Sequence, residues 1–104
     1  MYEYGATLVR VVDGDTVRLD LDLGFYERRV DQPYRLLRIN APEMNTDEGK
    51  AAKVWLEAFL VGKSLMAHTQ KSDSFGRFLT ELYADNQNVS DALVTAGQAA
   101  YKTY

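Results

Sequence analysis

Val17, Leu19, Leu21 and Leu23 alternate with Arg18, Asp20 and Asp22, the period-two pattern of a strand with one buried and one wet face. The run 6–12 precedes it and Asp13-Gly14-Asp15-Thr16 lies between, so the pair predicts a hairpin with an acidic turn, Asp15 beginning the second strand. Gly24 breaks that strand. Residues 28–30 and 35–39 read as two further extended segments separated by Asp31-Gln32-Pro33, and Pro42 prevents continuation past Ile39. The period then changes. Ala52, Trp55, Leu56, Phe59 and Leu60 form the stripe of an amphipathic helix facing a core. Asn45 or Thr46 can cap it, Asp47 and Glu48 suit its first turn, and Gly62 is a natural stop. Segments 65–69 and 78–84 are strand-like, the second ended by Asp85-Asn86, and 89–96 reads as a short helix closed by Gly97.

Hairpin-joined strands with one inserted helix predict an α+β fold, a small antiparallel barrel-like sheet packed against helices. The 104 residues, read as one domain over 1–104, are enough to bury roughly 60–70% of the surface the unfolded chain exposes. Trp55 belongs to the helix stripe and is expected in the core. His68, the one histidine, has no partner of its kind for a metal site and reads as structural.

Composition narrows the chemistry. With no cysteine, disulfides, thiolate zinc sites and cysteine nucleophiles are excluded, so any metal is held by oxygen. Twelve basic against fifteen acidic residues give a formal charge of −3, which argues against a broad basic face for nucleic acid. Arg28, Arg29, Arg35 and Arg38 nevertheless fall within eleven residues whose one acid is Asp31, so a local positive cleft can coexist with an acidic exterior. The start, Met1-Tyr2-Glu3-Tyr4, lacks a secretory pattern, and no apolar run approaches the roughly 20 residues of a membrane span. A cytoplasmic protein is expected, a mature secreted one being the alternative.

Three stretches carry the candidate chemistry: Asp13 to Thr16, Arg35 to Glu43 (RLLRINAPE) and Asp73 to Arg77 (DSFGR). Singly, each has an ordinary explanation, as turn chemistry, a surface arginine, a helix-approach acid or a hairpin tip. Together they supply what a phosphate-cleaving centre needs: oxygens for a hard cation at Asp15 and Asn40, a carboxylate to handle water at Glu43, and guanidinium groups at Arg35 and Arg77. Tyr101 and Tyr104 are candidates to stack on bases or frame a phosphate, or else to cover the core at a chain end.

This ordered series resembles the staphylococcal nuclease family. It continues through Leu82-Tyr83-Ala84-Asp85 and the run 89–97, VSDALVTAG, so the resemblance spans nearly the whole chain. It implies a five-stranded OB-type β-barrel with helices and calcium-dependent cleavage of DNA and RNA. Water attacks phosphorus in line and the 5′ oxygen departs, leaving 3′-phosphate ends. By the same resemblance Asp15 binds calcium, Arg35 and Arg77 contact the phosphate, and Glu43 is the general base. Asn40-Ala41 replaces the family's second metal-binding aspartate and its threonine. The Asn40 amide oxygen and Ala41 carbonyl can still serve, but one charge is lost and weaker calcium affinity is implied. Ser74 and Phe75 stand where a lysine and a tyrosine are expected, Phe75 remaining a substrate-contact candidate. The stretch between Glu43 and the helix is short, and the chain stops at Tyr104 where the family continues into a further helix. The surface so exposed leaves monomer and dimer both open.

The expectation is therefore a calcium-dependent nuclease preferring single-stranded nucleic acid. The alternative is a weak or inactive OB-type nucleic-acid-binding module whose metal binding Asn40 has impaired.

Overall fold

The computed structural model describes residues 2–70 and 78–102. Strands β1 (Tyr2–Asp13), β2 (Thr16–Gly24) and β3 (Glu27–Leu36) form an antiparallel meander. After the short β4 (Ile39–Asn40) and helix α1 (Asp47–Leu60), β5 (Leu65–Gln70) pairs with β1, and β6 (Phe78–Ala84) pairs with β5. A parallel pairing of β3 with β6, Tyr34 to Phe78 and Leu36 to Thr80, closes five strands in the order β3-β2-β1-β5-β6 into a mixed barrel. Closure removes the open edges that a small sheet would otherwise expose. The short β7 (Gln87–Asn88) pairs antiparallel with the end of β6 and leads into helix α2 (Val89–Thr95), and β8 (Ala100–Tyr101) pairs with β4. This is the expected α+β architecture, an OB-type five-stranded barrel with two helices.

The inward positions of the alternating strand, Val17, Leu19 and Leu21, meet Tyr34, Leu36, Ile39, Leu82 and Ala84 inside the barrel. Leu56 and Leu60 of α1 and Val89 and Leu93 of α2 seal it, all almost completely buried. The caps follow the sequence. The Thr46 hydroxyl accepts the Gly49 amide at 3.0 Å, and the Asn88 side chain accepts that of Asp91 at 3.0 Å. Gly97, at φ +75°, follows α2.

Four expectations need correction. The sheet is mixed rather than antiparallel, because β3 and β6 pair in parallel to close the barrel. Residues 28–30 and 33–36 belong to one strand, because Pro33 sits opposite Arg18 where, among the described residues, β3 has only β2 beside it; β6 joins from Tyr34 onward. A missing N–H is tolerated at such an edge. The segment 35–39 is in turn interrupted, since β3 ends at Leu36 and Arg38 is left-handed at φ +69° before β4 begins. Trp55 packs on the core but is only partly buried, its ring stacked on Phe59 at 4.9 Å. Among the described residues no helix is long and apolar enough to cross a membrane.

Candidate active site

The β1–β2 turn holds Gly14 and Asp15 between the partners Asp13 and Thr16, so Asp15 lies in the turn itself rather than at the strand start. Neither turn residue is left-handed. The glycine serves close packing instead. A Cβ there would lie 2.7 Å from that of Ala41 and 2.8 Å from that of Ala52, so only glycine lets the turn sit against the segment after β4 and against α1.

That contact fixes Asp15, whose residue exposure is 8%. Its Oδ2 accepts the Ala41 amide at 2.9 Å, and its Oδ1 accepts the Thr16 hydroxyl at 3.2 Å. Its own amide donates to Asp13 Oδ1 at 3.0 Å. The Asp13 carboxyl is pushed up to about 6, by burial first and by its neighbour Asp15 second.

Arg35 enters from β3, opposite Thr16, and is 6% exposed. Its guanidinium donates to Leu36 O at 2.7 Å, Ile39 O at 2.8 Å and Asn40 Oδ1 at 3.3 Å, and Nη2 lies 3.4 Å from Asp15 Oδ2. The reversal after Leu36 makes this possible by turning the Ile39 and Asn40 oxygens back toward the β3 end. Three of the five donors of a guanidinium are thereby used. Buried arginine with a buried aspartate and satisfying oxygens is a pre-organised charge pair, costly to assemble by chance.

Glu43 is held through its backbone. Thr46 N and Thr46 Oγ1 donate to its carbonyl at 3.0 and 2.7 Å. Gly49, buried on α1, gives that carbonyl room, since a Cβ there would lie 1.9 Å from Glu43 O. The carboxylate is exposed and makes no hydrogen bond or ion pair among the described residues.

Of the predicted site residues, Asp15, Arg35, Asn40 and Ala41 are brought into one hydrogen-bonded cluster, and Glu43 follows two residues after Ala41 on a fixed backbone. Tyr101 goes elsewhere. Its hydroxyl donates to Asp91 Oδ1 at 2.8 Å and its ring lies 5.9 Å from the Arg38 guanidinium, which ties β8 to α2. Phe75, Arg77 and Tyr104 lie outside the described residues. Arg38 stands out in the sequence only as one of the four arginines between 28 and 38. It gathers Glu81 at 2.8 Å, Asp91 at 3.0 Å and Asn88 at 3.2 Å, joining the reversal after β3 to β6 and α2. The signal that could have flagged it is a charged residue inside the apolar run 36–39.

The oxygen donors suit a hard divalent cation in kind. Asp15 Oδ2 and Asn40 Oδ1 already converge on one cationic nitrogen, Arg35 Nη2, at 3.4 and 3.3 Å. Charge is sparse, because among the described residues no three His, Cys, Asp or Glu side chains gather.

The fold is thus a closed OB-type barrel bearing a buried arginine–carboxylate pair at the junction of a strand turn and a strand end. The sequence model described as staphylococcal nuclease homologue matches residues 33–104, and the chain belongs to that family. It is 33% identical over 99 residues to a protein named as an uncharacterized endonuclease from Escherichia coli, covering 93% of this chain and 61% of that one. It is 31% identical over 71 residues to a probable staphylococcal-like nuclease of Oryza sativa subsp. japonica, covering 67% of this chain and 19% of the relative. The chain thus spans less than two thirds of the length of these relatives.

Proposed function

We propose that this domain hydrolyses phosphodiester bonds of DNA or RNA, with calcium as cofactor and single strands as preferred substrate. The observation that carries the reading is the convergence of Asp15, Arg35, Asn40 and Ala41, from the β1–β2 turn, β3 and the segment at and after β4, into one hydrogen-bonded polar cluster in which Asp15 and Arg35 are buried and Asn40 is exposed. Family membership and the naming of both relatives as nucleases support it.

Asp15, with Asn40 and the Ala41 carbonyl, would hold the cation, which when bound supplies charge for the phosphoryl oxygens. Arg35 keeps its guanidinium fixed before substrate arrives, so its remaining donors meet phosphoryl oxygens without reorganisation. Arg77, assigned by its motif, would be the second such donor. Glu43, exposed on a rigid backbone, accepts a proton from attacking water or orients it, and the 5′ oxygen leaves opposite. Each group stabilises charge that grows in the transition state.

A second reading has its own observation. Asn40 is neutral and its oxygen already accepts from Arg35, which favours a binding module with weak metal affinity. The two separate by single-stranded DNA hydrolysis across calcium up to about 10 mM, above the millimolar range of weak sites, beside a chelator control. Chelator-sensitive cleavage leaving 3′-phosphate ends supports the enzyme; binding without cleavage by folded protein supports the module.

A further inference from the structure

Most of the outer half of the β2–β3 hairpin stands off the barrel, although Arg29 reaches back over the Phe78 ring, 4.6 Å from its centroid. Residues 27–31 are all exposed, and the two turn residues, Phe25 and Tyr26, are 98% and 106% exposed. They follow Gly24 at φ +83° and are themselves left-handed, at φ +54° and +65°. Two consecutive left-handed residues are the mark of a tight hairpin turn that Asn-Gly fills well and bulky residues fill poorly. Two aromatic rings therefore occupy an unfavourable backbone and gain no burial in return, an arrangement that points to a partner rather than to the fold.

The charges nearby say what kind of partner. Asp31 takes the Arg18 guanidinium at 2.7 Å and its amide donates to Asp20 Oδ1 at 2.7 Å, while Asp22 Oδ1 accepts the Gly24 amide at 2.9 Å. Three acids are thus engaged within the ribbon, where the Asp31–Asp20 contact pins an irregularity in pairing between Leu19 and Leu21. Arg28 shares a hollow with Phe25 and Tyr26 and makes no ion pair among the described residues. A flat pair of π-faces with one available guanidinium fits unpaired nucleobases and their phosphate, whereas this ribbon of mixed charge, with Arg18 held by Asp31 and Arg29 laid over Phe78, lacks the basic stripe that duplex phosphates require.

We infer that Phe25 and Tyr26 form a base-stacking platform, with Arg28 beside it, for single-stranded nucleic acid extending from the Arg35 site. This rests on the proposed function. The same two strands run from Thr16, opposite Arg35, to Gly24, opposite Glu27. Eight residues at about 3.3 Å each place the platform up to about 26 Å from the site. At about 3.4 Å per stacked nucleotide that is roughly eight nucleotides. A stacked strand shorter than this falls short of one end, so affinity is expected to rise with length.

The test compares wild type with the double substitution Phe25→Asn and Tyr26→Gly, which removes both rings while installing a pair the turn favours, so the hairpin is expected to survive or stiffen. Binding of fluorescein-labelled oligothymidylates of 12 and 4 nucleotides is measured in chelator, with hydrolysis of the 12-mer in calcium run separately. The expected result is tighter 12-mer than 4-mer binding by wild type and about tenfold or greater loss for the 12-mer in the variant, erasing the length advantage. Equal 12-mer affinity in both proteins overturns the platform. So does a wild-type dimer in sedimentation that the variant dissolves, since the rings then cover a second copy. Ring-dependent 12-mer binding without hydrolysis upholds the platform and sinks the nuclease reading; absence of any 12-mer binding by folded wild type sinks the platform.

Discussion

Arg35 Nη2 stands 3.4 Å from Asp15 Oδ2, with the two side chains only 8% and 12% exposed. Neither charge is free to find water, so each depends on the other and on the surrounding oxygens and amides. Replacing Asp15 with alanine removes the carboxylate, leaves the Ala41 amide without its acceptor and strips Arg35 of its counter-charge. A loss of about 2–4 kcal/mol is expected, read as a lower urea midpoint at unchanged slope. A change below about 0.5 kcal/mol, the scale of ordinary surface substitutions, would show that the pair is solvated.

Gly49→Ala tests how Glu43 is held. In an exposed helix interior this change stabilises by about 0.5–1 kcal/mol. Here the new methyl would sit 1.9 Å from Glu43 O and 2.9 Å from Pro42 O, both backbone atoms that cannot swing aside. The expected sign is therefore reversed, with about 1–3 kcal/mol lost and hydrolysis falling further than the melting point alone explains. Calorimetry and rate measured together check both parts.

Arg38 opposes two effects. Glycine at its left-handed position would relieve about 1–2 kcal/mol but would leave Glu81, whose side chain is 13% exposed, without the guanidinium 2.8 Å away. Loss of that charged contact should win, so Arg38→Gly is expected to destabilise by about 1–2 kcal/mol net. Adding Glu81→Gln should recover part of it. Additive losses in that double-mutant cycle would mean that the pair is not coupled.

Asp91 sets an acid limb. Its carboxyl is held below the usual value by Arg38 first and by the Tyr101 hydroxyl second. A depressed folded pKa contributes stability that is present above the unfolded value of 3.8 and lost as pH falls through the folded one. Asp91→Asn should therefore show a shallower fall in melting temperature below about pH 4 than wild type does. Because the pair is largely exposed, the difference at neutral pH should stay under about 1 kcal/mol, and parallel acid limbs in the two proteins would refute the linkage.

The strands with clear alternation and both helices were legible because burial imposes a period and the caps are written locally, as Thr46 and Asn88 show. What was not legible depended on neighbours distant in sequence. Pro33 reads as a break until it is seen paired with Arg18 inside β3, and Asp15 reads as a strand residue until Ala41 and Ala52 fix the turn. The motifs that name Asp15, Arg35 and Asn40 come together in space. Tyr101 reads equally as a stacking residue or as cover for the core, and nothing local reveals that its hydroxyl donates to Asp91. Phe25 and Tyr26 carry no warning in the sequence, since only backbone angles show how poorly the turn suits them.

The most direct test of the central claim is the hydrolysis rate of single-stranded DNA in saturating calcium for wild type, Glu43→Gln and Arg35→Lys, each confirmed folded by circular dichroism. Loss of a general base removes about 10²–10⁴-fold, and lysine cannot reproduce a fixed guanidinium fork, so both variants should fall at least about a hundredfold with melting temperatures near wild type for Glu43→Gln. Hydrolysis by Glu43→Gln at the wild-type rate would contradict the account.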